Sequence, residues 1–524
     1  MKKFNSTGLC VPRKHYMVDI SDRVKQIRAM VNDGDYLCIN RARQYGKTTM
    51  LAALKRALQD EYVVVSLDFQ GLSHADFESE PAFSAAFARE LLVRRDYGML
   101  DLPDAVSSRL EELRDGGSGS QTLATLFSAL ALWNNRSSQP VVLLVDEVDS
   151  ATNNQVFLDF LAQLRMAYLN HEEDPSFPAF QSVILAGVTD IKHLKTRIRP
   201  EDESKMNSPW NIAADFDVDM SFSTKDVAGM LAQYEADHVT GMDIYAVAEE
   251  LVAWTSGYPF LVSRLCQLID VRGLGWDHAG VNTAVRELLK DDDVSLFESL
   301  TGKLETYPGL KGTLRSLLMN GEDIDASPYD ETQKQLRMFG FATERRNKLT
   351  IANRIFETLL YDYFLAEEQG GTLREAATIG RSQFVRGGRL DMCAVLEGFR
   401  RTYVEVYGPP EEGGRFLEKD GRELFLMYLK PIINGTGNYY IEAQTRDRTR
   451  TDVVVDYAGE RFVVELKIWR GPRYNEEGER QVAGYLKHFG LDVGYMLSFN
   501  FNKHKDPGLR RVELSGKVLW EETV

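Results

Sequence analysis

Two short stretches of this sequence carry side chains suited to chemistry on phosphate. The first, INRARQYGKTT at residues 39–49, closes a strand-like run and opens a helix-like one. At such a junction the first amides of the helix face outward and bind an anion. Lys47 would reach the β- and γ-phosphates of a nucleoside triphosphate, and the Thr48 hydroxyl would sit on its Mg2+. Arg43, Gln44, Tyr45, Gly46 and Thr49 complete the loop. The common GxxxxGK[ST] pattern has a glycine where this chain has Arg41, and a lone GKT triplet occurs by chance. The second stretch, VVLLVDEVD at 141–149, is an apolar strand ending in Asp146 and Glu147. The first carboxylate can hold the Mg2+ shell and the second can polarise an attacking water. Alone it would be a buried strand with an acidic turn; about 100 residues after a GKT on a parallel-sheet pattern, it points to ATP. VILAGVTD then offers Thr189 and Asp190 at a strand end, where turn formers are common but a polar group can also read the γ-phosphate.

A second constellation lies in TDVVVDYAGERFVVELKIW, residues 451–469. Glu465 and Lys467 are two apart on one strand and point to the same face; Asp452 comes from the preceding strand, across a turn in which Gly459 can take a positive φ. A Mg2+ or Mn2+ needs oxygen ligands from more than one segment, and a nearby ammonium can orient a nucleophilic water and offset charge on phosphate. Glu-x-Lys on a strand is usually an exposed ion pair. Here apolar residues fill the alternate positions, so the pair is expected to be half-buried, which is costly for charges without a role. Gln481 and Tyr485 fall four apart on a following helix, and Glu423 lies on a helix ahead of the strands as a further acidic metal ligand.

The elements that must carry these groups follow from periodicity. In the first half, short apolar runs (DYLCIN, YVVVSLDF, VVLLVDEVD, SVILAGVTD) alternate with helical segments, the pattern of a parallel sheet covered on both faces. From Thr224 to Glu367 the chain turns helical, and GTLRSLLMNG, ETQKQLRMFGF and the hairpin ATERRNKLTIA suggest a winged-helix unit. EEQGGTLREAATIG reads as a linker. After it come helices, the strands NYYIEAQ, TDVVVDY and RFVVELKIW, the helix GERQVAGYLKHFG and the strand DVGYMLSFNF. The expected organisation is α/β throughout, divided at 1–222, 223–367, 368–412 and 413–524.

A chain of 524 residues exceeds one hydrophobic core, and 44% apolar with 27% charged residues is ordinary globular composition. No apolar run reaches membrane-spanning length, and the opening MKKFNSTGLC lacks the apolar core of a signal peptide, so a cytoplasmic protein without membrane partners is expected. Cys10, Cys38, Cys266 and Cys393 are too scattered for a zinc site or a disulfide framework. A net charge of -16 opposes non-specific binding to nucleic acid, which would need local basic patches such as RSQFVRGGR or the Arg446, Arg448, Arg450 cluster, itself an ordinary solvated strand face in most proteins.

INRARQYGKTT, LLVDEVD, LAGVTDIKHLK with NSPWNIAADFDVDMSFS, and TSGYPFLVSRLC resemble the bacterial AAA-ATPase-like proteins, relatives of the AAA+ and STAND ATPases, over roughly residues 8–365. The resemblance implies a P-loop ATPase core with a helical lid and winged-helix extension, makes Arg41 the family's habit, suggests Arg264 as a nucleotide sensor and offers Arg197 and Arg199 as trans-acting fingers. Residues 413–505, through YLKPIINGTGNYYIEAQTR and VVELKIWRG, resemble the PD-(D/E)xK nuclease superfamily. That likeness implies Asp452, Glu465 and Lys467 as the core, with Gln481 and Tyr485 matching the Q-x-x-x-Y helix of RecB-like nucleases and Glu442 and Gln444 on the adjacent strand. Asp452 is preceded by threonine rather than proline. Together the two imply an ATP-gated, metal-dependent nuclease, with DNA favoured as substrate and defence against phage or plasmid DNA, or DNA processing, as the setting. Homo-oligomerisation stays open. The alternative is a STAND-like signalling or scaffold protein whose nuclease-like domain only binds a partner.

Overall fold

The computed structural model describes residues 2–116, 122–189, 191, 209–291, 294–318, 324–367, 383–407, 418–433, 437–442, 451–469, 472–502, 507–514 and 516–524. Asp190, Arg197, Arg199, Gln444, Arg446, Arg448, Arg450 and the linker 368–381 lie outside the described residues. The chain forms two compact units.

The first unit comprises Met1–Val252, Ser256–Asp277 and Arg337–Gly340. Its sheet has the order β1-β4-β3-β2, all parallel, from β1 (Leu37–Asn40), β2 (Val63–Asp68), β3 (Val141–Asp146) and β4 (Ser182–Gly187). The strands are mostly apolar because both faces are covered, with polar residues at Asn40, Ser66, Asp68, Asp146 and Ser182. Leu37, Ile39, Val142, Leu144 and Ile184 pack on α1 (Ser21–Asn32) and α2 (Lys47–Leu58). Cys38, Val65, Leu143, Val145 and Leu185 face the other layer, with α3 (Glu80–Asp96), α4 (Asp104–Asp115), α5 (Leu123–Arg136) and α6 (Gln155–Glu173). Beside β1 runs the segment 209–222: Ala214 donates to the Tyr36 carbonyl (2.9 Å). The mostly helical region expected from Thr224 onward is broken within DIYAVAEELVAWTSGYPFLVSRLCQLI. After α7 (Thr224–His238) the chain forms α8 (Ile244–Thr255) and α9 (Pro259–Arg272), separated by the left-handed Ser256 and Gly257. A Cβ on Gly257 would stand 2.1 Å from the Phe222 carbonyl oxygen, so only glycine lets these backbones meet.

The second unit comprises Ala253–Thr255, His278–Leu336 and Phe341–Val524. It begins with α10 (His278–Lys290), α11 (Ser295–Thr306), α12 (Pro308–Leu318), most of α13 (Glu331–Phe339), the hairpin β5 (Ala342–Arg345) with β6 (Lys348–Ile351), and α14 (Arg354–Glu367). The hairpin falls where the sequence placed it, with Arg346 and Asn347 left-handed in its turn. A short hairpin, β7 (Val385–Arg386) and β8 (Arg389–Leu390), leads to α15 (Met392–Tyr407) and α16 (Glu418–Ile433). Then come β9 (Gly437–Glu442), β10 (Thr451–Tyr457), β11 (Glu460–Ile468), α17 (Pro472–Phe489), β12 (Val493–Phe499), β13 (Gly508–Leu514) and β14 (Lys517–Thr523). These strands form one six-stranded sheet of order β13-β14-β12-β11-β10-β9. The last two were not read from the sequence. Gly478, Val482 and Leu486 of α17 cover the face bearing Met496 and Leu519. α15 and α16 cover the other face around Phe499, through Phe399, Tyr403 and Gly421.

Candidate functional site

In the first unit the loop between β1 and α2 closes on itself. Gln44 and Gly46 are both left-handed, which turns successive amides inward in the manner of an anion-binding nest. Lys47 is buried, and its ammonium donates to the Arg41 and Ala42 carbonyls (both 3.1 Å). Burial lowers its pKa, opposed by the charges of Glu147, Asp149 and Asp146. Arg41 is turned away from this nest. Its guanidinium donates to the carbonyls of Phe216 (3.4 Å) and Val218 (2.9 Å) and lies over the Phe216 ring (5.1 Å). The arginine in place of the expected glycine thus ties the loop to the segment beside β1.

The two carboxylates stand at the end of β3. Burial raises the pKa of Asp146, while hydrogen bonds from the Thr48 hydroxyl and the Glu147 amide (3.0 Å) hold it down. Thr48 and Asp146 are therefore in contact, as two groups facing one Mg2+ should be. Glu147 is left-handed, with φ 51, and burial raises its pKa as well. Two acids missed by the sequence reading join them. Asp68 ends β2 in register with Asp146, and its charge pushes both neighbours up. Asp149 accepts from the amides of Val188 (2.6 Å) and Thr189 (2.8 Å), fixing the backbone of Thr189.

A cavity of about 290 Å³ opens against this loop, lined by Arg43, Gln44, Tyr45, Gly46, Lys47, Thr48, Thr49 and Glu147. Its far wall is the N-terminal segment, including Cys10, Tyr16 and Val18, with Met220, Phe222, Phe260 and Ser263. Cys10 donates its amide to the Thr49 hydroxyl (3.2 Å). The apolar wall with one polar end suits a base and sugar joined to phosphates. Asp146, Thr189 and Arg264 are not among the lining residues. Arg264 is on α9, next to the lining Ser263, and donates to Gln267 (2.7 Å).

In the second unit Glu465 and Lys467 sit on β11, their charged ends 3.1 Å apart. The glutamate side chain is 1% exposed and the lysine 14%, so the pair is more deeply buried than the sequence pattern implied. β10 pairs antiparallel with β11 from Val453–Val464 to Tyr457–Glu460, so the backbone of Asp452 lies just beyond the paired end of β10. Against β9 the register shifts between Thr451 and Val454, an irregularity of the kind that re-aims a side chain. The side chains of Asp452 and Glu442 lie outside the described ones. Among the described residues no group of three His, Cys, Asp or Glu has metal-holding geometry.

α17 roofs this face. A Cβ on Gly478 would stand 3.2 Å from Lys467 Cγ, so the helix lies directly on the lysine stem. Gln481 follows one turn later, and its buried side-chain oxygen has no hydrogen-bond partner. An acceptor of that kind fits a site that takes a cation or a donor-bearing ligand. Tyr485, one turn further, is buried. Glu423 is placed on α16, whose Gly421 packs on Phe499 of the opposite sheet face, and it pairs with Arg315 (3.2 Å). The sequence reading also missed a buried acid on the sheet face that carries Glu465. Glu521 accepts from Ser498 Oγ (2.6 Å) and is paired by Arg510, which also reaches Glu479 of α17 (3.4 Å). Ser498 is the register partner of Lys467.

Comparison with known proteins gives a family match for each part of the chain. Residues 13–365 match the AAA-like domain family, and residues 438–512 match the PD-(D/E)XK nuclease superfamily. A curated relative, an uncharacterized WD repeat-containing protein of Synechocystis, is 22% identical over 361 residues, or 66% of this chain; the match spans only 29% of that protein's length. Among solved structures, a Walker-type ATPase of Pyrococcus abyssi aligns at 14% identity and TM-score 0.48, covering 68% of this chain and 99% of that one. Cdc6p of Pyrobaculum aerophilum aligns at 14% identity and TM-score 0.33, covering 69% and 97%. No helix among the described residues is long and apolar enough to cross a membrane. The chain belongs to the AAA-like domain family and carries, in its C-terminal part, a domain of the PD-(D/E)XK nuclease superfamily.

Proposed function

We propose that this chain binds and hydrolyses ATP and uses its nucleotide state to gate a metal-dependent nuclease, with DNA the favoured substrate. The observation that carries the reading is the buried Glu465–Lys467 pair, 3.1 Å apart under α17, on the strand that pairs antiparallel with β10. A bound Mg2+ or Mn2+ would supply Lewis acidity and an activated water. Asp452 and Glu465 would hold it. Lys467 carries the positive charge that offsets charge growing on the phosphate, and Gln481 and Tyr485 on the helix above wall off that end of the site. In the first unit Lys47 and the loop amides would hold the phosphates, Thr48 and Asp146 the Mg2+, and Glu147 would orient the water. Thr189 would read the γ-phosphate, and Arg264 is proposed as the sensing arginine.

Within the second unit a polar chain leads to the β10–β11 hairpin. The Trp254 indole donates to Asn282 (3.1 Å), and Asn282 and Arg461 both meet His278 Nε2 (2.9 and 3.1 Å). Two donors on one ring nitrogen require it to be the unprotonated one. Arg461 is also held by Asp456 (2.8 Å) of β10, so the β10–β11 hairpin is tied to His278 of α10. Defence against phage or plasmid DNA, or DNA processing, fits a destructive site under nucleotide control. The test incubates the purified chain with plasmid and Mg2+ or Mn2+, with and without ATP. Cleavage that ATP alters and that Asp452→Ala and Lys467→Ala abolish is the expected result. ATP hydrolysis with no cleavage of DNA or RNA would instead establish the scaffold alternative.

A further inference from the structure

We infer that Asp149 is a positioning residue for ATP hydrolysis, a clamp that fixes Thr189 relative to Glu147; this rests on the ATPase reading above. The acidic turn after β3 has a specific shape. Glu147 takes a left-handed conformation, and the chain then makes a short helical turn, Val148–Ser150, that carries Asp149 back across the sheet edge toward β4. There both carboxylate oxygens are used, Oδ2 on the Val188 amide at 2.6 Å and Oδ1 on the Thr189 amide at 2.8 Å. Such charge-assisted bonds are short and strong, and two of them on consecutive amides leave the intervening peptide no freedom to rotate.

The approach is tight. A Cβ on Gly187 would fall 2.8 Å from Val148 Cγ2 and 3.0 Å from Asp149 Oδ2, so a glycine at the end of β4 is what lets the clamp close. The same carboxylate is close enough to Lys47 and Glu147 for its negative charge to act on both. The second acidic group of the turn therefore orients the water, and the third sets where the polar side chain at the end of β4 stands. Because both belong to one turn, Glu147 and Thr189 are held by a single rigid piece of backbone rather than by two independent strand ends.

The experiment uses the full chain with Asp149→Asn, Thr189→Ala and the double variant. An asparagine puts an NH2 donor where one carboxylate oxygen accepted and carries no charge, so it loses one of the two bonds as they stand and weakens the other. Amide exchange at Val188 and Thr189, read by mass spectrometry without nucleotide, is expected to accelerate roughly 10- to 100-fold in Asp149→Asn while the rest of the sheet keeps its protection. For ATP hydrolysis, kcat is expected to fall about 10- to 100-fold with KM nearly unchanged. Thr189→Ala, costly in the wild type, should then add little to Asp149→Asn, since the hydroxyl is already misplaced. Unchanged exchange at those two amides, fully additive losses, or a parallel collapse of KM and melting temperature would overturn the proposal. If the wild type hydrolyses no ATP, the ATPase reading fails, and the exchange result still decides whether the clamp exists.

Discussion

Replacing Lys467 by methionine separates the chemistry of the second site from its stability. The Glu465 carboxylate is 1% exposed, and the ammonium 3.1 Å away is the opposite charge beside it. Removing one partner of a buried pair leaves a charge where water cannot compensate it, at a cost of about 3–5 kcal/mol, whereas neutralising both partners with groups of similar volume is neutral or stabilising. At roughly 2–4 °C per kcal/mol for a body of 150–250 residues, Lys467→Met should melt about 6–20 °C below the wild type. Glu465→Gln combined with Lys467→Met should melt within a few degrees of it. Thermal unfolding followed by circular dichroism reads this, and plasmid cleavage on the same samples should be absent in both variants. A single variant as stable as the wild type would refute the burial argument. A stable double variant that still cuts would place the chemistry elsewhere.

Other outcomes follow from the same geometry. Glu147→Gln should abolish ATP hydrolysis yet raise the melting temperature at neutral pH. Burial holds the folded-state pKa of Glu147 above the ordinary 4.5, so its ionised form costs stability as pH rises through that folded value, and the gain should vanish below 4.5. Arg41→Gly restores the common loop pattern but removes hydrogen bonds to two carbonyls and a cation–π contact, so it should weaken nucleotide binding and lower stability, as titration with a fluorescent ATP analogue and melting would register. Chelation with EDTA should stop plasmid cleavage, and added Mg2+ or Mn2+ should restore it.

Much of both sites was legible because it is local. The junction at Gly46–Lys47, the strand ending at Asp146, and the Glu465–Lys467 spacing on one strand face are set by φ preferences and by periods of 2 and 3.6 residues, which neighbours along the chain determine. The hairpin turn at Gly459, with its φ of +85°, was legible for the same reason. What the tertiary structure alone decided depends on residues far apart in sequence. Asp149 gains its role only because β3 and β4 lie side by side, and Arg41 because the segment 209–222 returns beside β1. The break at Ser256–Gly257 is likewise tied to a distant residue, because Gly257 packs against the Phe222 carbonyl. Glu521 and Glu522, near the end of the sequence, are each buried, one on either face of β14, with Arg510 and Arg400 as respective partners. Periodicity tells which face a side chain takes; only the folded chain brings the distant amide or arginine that gives a buried carboxylate its partner.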